Sequence, residues 1–321
     1  MDNLISKTYW FKRLPAIGKN ASEWASHCAA HWKLSSYQSE HVIPSSEVRL
    51  IMNQYMPELV PDYDAFLAAL PQRPDMAQLV AGYNLRPFFS GCSNSVSTRL
   101  GYPTLIRNYD FPIHELAGVF RHEPLSDGGW IIGSAESGWG YLDGMNHHGL
   151  AVAITFGGKY TVSSGFSIPI IVRYLLATSR TVPEAVERLR RIPHRLAQNL
   201  LLLDREGRYS VVYTSSDGVS VDEGLICTTN HQRTVVDPKV EHDTMERYDY
   251  LVRKAGKLSP SDFFDSPLYN SHFSDGYGTL YTVELDPRTG EANYYWPQGK
   301  HLTVSEKSEE QQFVIQWKSE R

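Results

Sequence analysis

Cys92 is the residue whose type and surroundings best fit covalent chemistry. It follows Gly91, opens a stretch of strand-forming sequence and is followed by three polar residues, 93–95. A thiolate is a strong nucleophile, whereas an isolated free cysteine is more often a small buried hydrophobic residue. We keep this second interpretation for Cys28 and Cys227.

The sequence around Cys92 predicts a β-hairpin whose turn lies at residues 99–103. Symmetric pairing about that turn places Cys92 opposite Tyr109 or Asp110. Arg107 and Asp110 then fall near the reach of cross-strand neighbours of Cys92. A guanidinium favours the thiolate, and a carboxylate can hold a nearby ammonium or imidazolium. The plain alternative is a surface Arg–Asp pair, which contributes little stability.

The order of elements predicts an α+β fold with helices layered on antiparallel sheets. Residues 1–91 are helical in pattern and short of strand signals, with an amphipathic helix starting near Ser45. From residue 92 strand-like segments dominate, except for two tandem helices within 168–189. The second of these starts at Thr181 with a capping box. The change of pattern divides the chain into residues 1–91 and 92–321.

Four motifs in this order resemble the cysteine branch of the N-terminal nucleophile (Ntn) hydrolases. They are Gly91-Cys92-Ser93, Arg107-Asn108-Tyr109-Asp110, Gly144-Met145-Asn146-His147-His148-Gly149-Leu150 and Thr229-Asn230-His231. The pattern is most similar to the C45 peptidase family, which includes penicillin acyl-CoA:6-aminopenicillanate acyltransferase. The choloylglycine hydrolases are more distantly similar.

The resemblance implies a four-layer αββα sandwich preceded by a helical pro-segment. It also implies a precursor that cleaves itself between Gly91 and Cys92. The products would be a small chain, 1–91, and an Ntn-hydrolase catalytic domain, 92–321. The apolar helix faces of residues 1–91 favour continued association of the two chains. The activity implied is hydrolysis or transfer of the acyl group of a linear amide or thioester, through a Cys92 acyl-enzyme.

The resemblance also assigns roles to individual residues. After cleavage the free α-amino group of Cys92 can act as the base for its own side chain, because its ordinary pKa is near 8. By resemblance, Cys92 is the nucleophile, Arg107 lies near its sulfur, and Asp110 holds the α-ammonium group. Asn230 is implied to donate to the oxyanion, and Asn146 to contribute there or in substrate binding. Arg247 resembles a further catalytic arginine of the family.

Two alternatives remain open at the level of sequence. In the first, Cys92 and His231 form a papain-like pair that needs no processing. In the second, the fold is a non-catalytic binding protein, although a binding role alone would not require the whole set of polar residues.

Composition excludes several other classes of function. The formal net charge of −5 and the pI near 6.2 argue against a nucleic-acid partner. The sequence has no apolar run of membrane-spanning length, and its first residues lack the apolar core of a signal peptide, which predicts a cytoplasmic protein. Neither a phosphate-binding loop nor a metal-ligand spacing occurs, so we expect no cofactor and no metal.

The expected partner is a small acyl-amide or acyl-thioester substrate, whose identity the sequence leaves open.

Overall fold

The computed structural model describes residues 4–32, 39, 41–233 and 243–318. The strands in this part of the chain are β1 Leu4–Arg13, β2 Gly91–Ser97, β3 Thr104–Pro112, β4 Val119–Pro124, β5 Trp130–Glu136, β6 Gly140–Asn146, β7 Ala151–Phe156, β8 Gln198–Leu203, β9 Tyr209–Ser215, β10 Gly218–Asp222, β11 Cys227–Thr228, β12 Tyr277–Asp286, β13 Glu291–Tyr295, β14 His301–Val304 and β15 Gln311–Lys318. The α-helices are α1 Ala21–His31, α2 Ser45–Tyr55, α3 Val60–Ala69, α4 Met76–Ala81, α5 Ile168–Thr178, α6 Val182–Leu189 and α7 Asp243–Arg253.

The strands form two stacked sheets with helices on both outer faces. The nine-stranded sheet has the order β10-β9-β8-β7-β6-β5-β4-β1-β15, and the six-stranded sheet has the order β11-β2-β3-β12-β13-β14. The inner faces meet where β2 packs on β7, while α5 covers β5 and β6, and α7 covers β2 and β11. The predicted α+β fold with a four-layer αββα sandwich is confirmed.

Burial explains why the central strands hold their positions. Every residue of β7 is buried, because its two faces lie against the facing sheet and the helical layer. α6 presents its apolar face to β9, and Thr181 caps it by accepting a hydrogen bond from the backbone N–H of Glu184. The N-cap predicted at Thr181 is therefore confirmed, but the capping box is incomplete, because the Glu184 carboxylate accepts from the backbone N–H of Arg180 instead of that of Thr181.

The first residues of the chain depart from the helical segment that the sequence predicts. Leu4–Arg13 forms β1, which lies between β4 and β15 in the nine-stranded sheet. It runs parallel to β4 and antiparallel to β15. The prediction that residues 1–91 are short of strands is wrong here. The sequence LISKTYWFKR shows only a weak alternation of polar and apolar residues, the usual signal of a strand, because side chains on both faces of β1 are partly buried.

In the part of the chain that the structure describes, no helix is long and apolar enough to cross a membrane.

Candidate active site

The β2–β3 hairpin brings the predicted nucleophile to the start of a buried strand. In its ladder Cys92 pairs with Tyr109, and Gly91 pairs with Asp110. The hairpin and the register predicted from its turn are confirmed. Because side chains alternate along a strand, Cys92, Arg107 and Tyr109 share the face that looks into the space between the sheets.

Two polar groups contact the Cys92 sulfur, which is fully buried. Arg107 donates a hydrogen bond from Nη2 to Sγ at 3.3 Å, and the Ser90 hydroxyl lies 3.6 Å from Sγ. Burial raises the pKa of the Cys92 thiol, and the Arg107 guanidinium opposes that shift. Cys92 is therefore a thiol at neutral pH, with a cation beside its sulfur.

The Arg107 guanidinium is itself held by a buried carboxylate. Its Nη1 atom pairs with Asp143 of β6, and the Tyr281 hydroxyl donates to the same carboxylate at 2.7 Å. Nε of Arg107 donates to the carbonyl of Ile154 at 3.2 Å. Both side chains are fully buried, so the charge of each is compensated by the charge of the other.

Asn230 and Arg247 bind the backbone of Cys92. The backbone N–H of Cys92 donates to Oδ1 of Asn230 at 3.1 Å, and Nδ2 of Asn230 donates to the carbonyl of Ser90 at 3.1 Å. Arg247 donates to the carbonyl of Cys92 at 2.8 Å and to Oδ1 of Asn230 at 2.9 Å. The structure therefore brings both residues to Cys92, as the motifs predict.

Asp110 lies beside Gly91, which precedes the nucleophile. The Thr279 hydroxyl donates to Oδ1 of Asp110 at 2.7 Å. The Tyr277 hydroxyl accepts from the backbone N–H of Gly91 at 2.6 Å and donates to the carbonyl of Asp110 at 3.3 Å. A Cβ built on Gly91 would lie 3.3 Å from Oδ2 of Asp110, so the carboxylate sits against the backbone next to the predicted cleavage point.

The hydrogen bonds of the Asn146 side chain lie at the β6–β7 turn and the end of α5. Its Nδ2 donates to the carbonyls of Leu176 and Ser179, at the end of α5, at 2.8 and 2.7 Å. Its Oδ1 accepts from the backbone N–H groups of His148 and Leu150. These four bonds fix the β6–β7 turn to a helix end, and the role of Asn146 in oxyanion or substrate contact stays a prediction.

The described contacts of the His231 side chain are with residues other than Cys92. Its Nδ1 atom lies 3.1 Å from the Thr229 hydroxyl, and its ring packs edge-on against Tyr248. Burial lowers the pKa of His231, so the ring is neutral at pH 7. Within the described residues the hydrogen-bond partners of Cys92 Sγ are Ser90 and Arg107, and the papain-like pair has no contact to support it.

Sequence reasoning missed the residues that support the site from outside the motifs: Ser90, Asp143, Tyr277, Thr279 and Tyr281. Asp143 carries a usable signal, because it is the single charged residue in the buried strand β6. The others have no signal in sequence, since hydroxyl side chains are common in strands.

Among the residues described, no group of three or more His, Cys, Asp or Glu side chains is arranged to hold a metal ion.

Comparison with known proteins identifies the family. The sequence model described as acyl-coenzyme A:6-aminopenicillanic acid acyl-transferase matches residues 98–301, more than half of the chain. The chain belongs to this family. The match begins after Cys92 and includes the other predicted catalytic residues. The resemblance inferred from the motifs is therefore confirmed, and membership places the chain in an acyltransferase family. No curated protein sequence matches significantly.

Solved structures similar to this acyltransferase-family chain share little sequence with it. A mutant of the conjugated bile acid hydrolase from Clostridium perfringens is 13% identical, with 69% of this chain and 96% of that chain covered and a TM-score of 0.49. The penicillin V acylase from Agrobacterium tumefaciens is 15% identical, with coverage of 70% and 90% and a TM-score of 0.41. The Caenorhabditis elegans ortholog of N-acylethanolamine-hydrolyzing acid amidase is 13% identical, with coverage of 61% and 93% and a TM-score of 0.45.

Gly91 gives a first testable prediction about this site. A Cβ at this position would lie 2.5 Å from the Tyr277 hydroxyl, so Gly91→Ala displaces that hydroxyl or the backbone beside Cys92. We expect Gly91→Ala to lower the melting temperature. Adding Tyr277→Phe, which removes the clashing oxygen, is expected to restore part of the loss. Thermal unfolding of both variants measures this, and equal melting temperatures for Gly91→Ala and the wild type would contradict it.

Proposed function

We propose that the chain cleaves itself between Gly91 and Cys92. The mature enzyme then hydrolyses or transfers the acyl group of a linear amide or thioester through a Cys92 acyl-enzyme. The observation that carries this proposal is the environment of Cys92. Its sulfur accepts a hydrogen bond from the buried guanidinium of Arg107, and its backbone N–H donates to the side chain of Asn230. The preceding residue, Gly91, is tightly packed.

The cleavage step is an N-to-S acyl shift followed by hydrolysis. The Cys92 sulfur attacks the carbonyl carbon of Gly91, the C–N bond breaks, and the thiol proton passes to the departing amine. Water then hydrolyses the thioester and leaves a carboxylate on Gly91 and a free thiol and α-amine on Cys92. Arg107 favours the step because a positive charge near the sulfur stabilises the developing thiolate.

Cleavage changes what the neighbouring groups can do. The new α-amino group of Cys92 acts as the general base for its own thiol. The carboxylate of Asp110, which lies beside Gly91, then holds the α-ammonium form. When the segment ending at Gly91 withdraws, Nδ2 of Asn230 loses the Ser90 carbonyl and becomes a donor for the substrate oxyanion. Arg247 keeps Asn230 in place through Oδ1.

We also propose that residues 1–91 stay bound to residues 92–321 after cleavage. β1 is hydrogen-bonded to strands of the larger part on both of its edges. The Trp24 ring covers the guanidinium of Arg121 at 4.6 Å, and Nε1 of Trp139 donates to the carbonyl of Val80 at 2.7 Å. Loss of the small chain would leave these strand edges unpaired and would remove the Trp24 ring from the Arg121 guanidinium.

The intact mass of the purified protein under denaturing conditions tests the proposal. We expect two chains from the wild type, ending at Gly91 and starting at Cys92, and one uncut chain from Cys92→Ala. Cys227→Ala is the matched control, because Cys227 is also buried in this sheet and is expected to leave cleavage intact. An uncut wild type that turns over amides would favour an unprocessed hydrolase, and an uncut, inactive one would favour a binding protein.

A further inference from the structure

The Ser90 hydroxyl contacts the Cys92 sulfur beside the Arg107 guanidinium. Its Oγ atom lies 3.6 Å from Sγ, and among the described residues Sγ is the hydrogen-bond partner of this hydroxyl. Ser90 is buried, so bulk water competes little for the contact. A buried hydroxyl in contact with the attacking thiol is placed to take part in proton transfer.

The spacing along the chain brings Ser90 and Cys92 together. They are two residues apart, and in an extended chain such side chains point to the same side. Gly91 between them has no Cβ, and a Cβ built there would lie 2.5 Å from the Tyr277 hydroxyl and 3.2 Å from Cβ of Asp110. Glycine therefore lets the chain lie close against β3 and β12, which fixes the peptide bond before Cys92.

Contacts on both sides of Ser90 hold it in this position. Nδ2 of Asn230 donates to the Ser90 carbonyl, and Oδ1 of the same side chain accepts from the Cys92 backbone N–H. The ring of Phe89 packs edge-on against that of Tyr160, with centroids 4.8 Å apart. The hydroxyl therefore stays beside the sulfur.

Of the two side chains that contact the sulfur, the hydroxyl is the one that can carry a proton. A guanidinium keeps its protons and has no acceptor, whereas a hydroxyl has one donor and two acceptor lone pairs. The Asp143 carboxylate is bound by the Arg107 guanidinium and by the Tyr281 hydroxyl. Burial raises the pKa of Tyr109, on the same face as Cys92, so the tyrosine hydroxyl keeps its proton.

Three further ionisable side chains lie near the backbone of Cys92 and have no described hydrogen bond to its sulfur. The Asp110 carboxylate lies beside the preceding glycine, and its charge adds to the effect of burial in raising the pKa of the thiol. Arg247 donates to the Cys92 carbonyl, and the neutral ring of His231 contacts a threonine hydroxyl. Because proton transfer follows hydrogen bonds, Ser90 is the described side chain placed for it.

We propose that Ser90 relays the thiol proton to the departing amine during self-cleavage. This inference rests on the proposed function and names the side chain through which the proton moves. As Sγ bonds to the carbonyl carbon of Gly91, the thiol proton passes to Oγ of Ser90, and the hydroxyl proton passes to the nitrogen of Cys92. The C–N bond then breaks, a thioester and an amine are formed, and the serine hydroxyl is restored.

The surroundings of the Cys92 nitrogen agree with this route. Its own N–H donates to Oδ1 of Asn230 at 3.1 Å, so the second proton has to arrive from another direction. The nitrogen and Sγ belong to one residue and are separated by three bonds, so a hydroxyl beside the sulfur is also near the nitrogen. The relay acts once in the life of the chain, because Ser90 ends on the acyl side of the cleaved bond.

The rate of cleavage tests the relay. Uncut chain collected in acidic urea early in cell-free synthesis is diluted into buffer, refolding is followed by tryptophan fluorescence, and cleavage is followed by intact mass. We expect Ser90→Ala to slow cleavage by about 100-fold or more, the effect of a positioned acid–base group, and Ser90→Thr, which keeps a hydroxyl, to restore most of the rate. Ser95→Ala is the matched control, because this buried serine of β2 donates to the carbonyl of Val96. We expect it to cleave at the wild-type rate.

The pH dependence of cleavage separates a relay from a structural role. Without the hydroxyl the sulfur has to ionise before it attacks, and burial raises the pKa of the thiol above its ordinary value. We therefore expect the rate of Ser90→Ala to rise about tenfold per pH unit between about pH 6 and 8, whereas the wild-type rate changes only a few-fold. A loss of the same size at every pH would indicate a structural role and would overturn the relay.

The remaining outcomes distinguish failure of the relay from failure of the proposed function. Equal cleavage rates in Ser90→Ala and the wild type would overturn the relay and leave self-cleavage standing. A refolded wild type that stays uncut would overturn both. A slow Ser90→Ala that Ser90→Thr restores, with the steep pH dependence, supports the relay.

Discussion

Replacing Arg107 with methionine is expected to abolish self-cleavage and to lower the free energy of unfolding by about 3–5 kcal/mol. The substitution leaves the Asp143 carboxylate fully buried with no cation, and it removes the positive charge next to the Cys92 sulfur. Both effects have the same origin, because one guanidinium serves the carboxylate through Nη1 and the thiol through Nη2. Denaturant unfolding measures the first effect, and intact mass measures the second.

A double variant separates the structural effect from the chemical one. In Arg107→Met with Asp143→Asn, both charges are gone, and the asparagine still offers an oxygen to the Tyr281 hydroxyl. We expect much of the lost stability to return, since removing both partners of a buried pair is often nearly neutral. Cleavage is expected to stay absent. Cleavage in the stable double variant would contradict the role that we give Arg107.

Replacing Asn230 with aspartate is expected to lower kcat/KM of the mature enzyme by a factor of about 10²–10³, corresponding to about 2.7–4 kcal/mol of transition-state stabilisation. The aspartate keeps an oxygen for the Cys92 N–H and for Arg247, so the local structure is retained. It replaces the Nδ2 donor that we assign to the oxyanion with a carboxylate oxygen, whose negative charge also repels the oxyanion. Steady-state kinetics on a linear amide substrate measures the loss.

The neighbouring residue supplies the control for this experiment. His231→Ala alters the same segment but leaves every described hydrogen bond of Asn230 in place. We expect activity within a few-fold of the wild type. Loss of turnover in His231→Ala with normal processing, together with full activity in Asn230→Asp, would favour the papain-like pair and reject the oxyanion role of Asn230.

The parts of this site that could be predicted from sequence are those fixed by local pairing. The turn at residues 99–103 sets the register of the hairpin, and the register places Arg107 and Asp110 next to Cys92. Asn230 was found through a motif and Arg247 through the family resemblance, and the helix α7 brings Arg247 to the backbone carbonyl of Cys92. Short-range geometry and motif order were therefore sufficient for these residues.

The parts that could not be predicted depend on long-range packing. Asn146 sits in a motif with the expected spacing, yet its side chain caps the turn before β7 and binds the end of α5. Asp143, three residues earlier, is the residue of β6 that reaches Arg107. Which residue of a strand faces the site depends on how the two sheets stack, and a sequence motif carries no information about that.

The position of β15 has a consequence for how a cleaved protein would come apart. Among the described strands its hydrogen-bonding partner is β1, so β15 is joined to its sheet through a strand of residues 1–91. In the uncut chain, lost pairing can re-form within one molecule. Once the chain is cut, separated fragments must meet again in solution, and their recovery depends on protein concentration. Cleavage would thus convert a reversible fold into one whose lifetime is set by the rate of opening rather than by equilibrium stability.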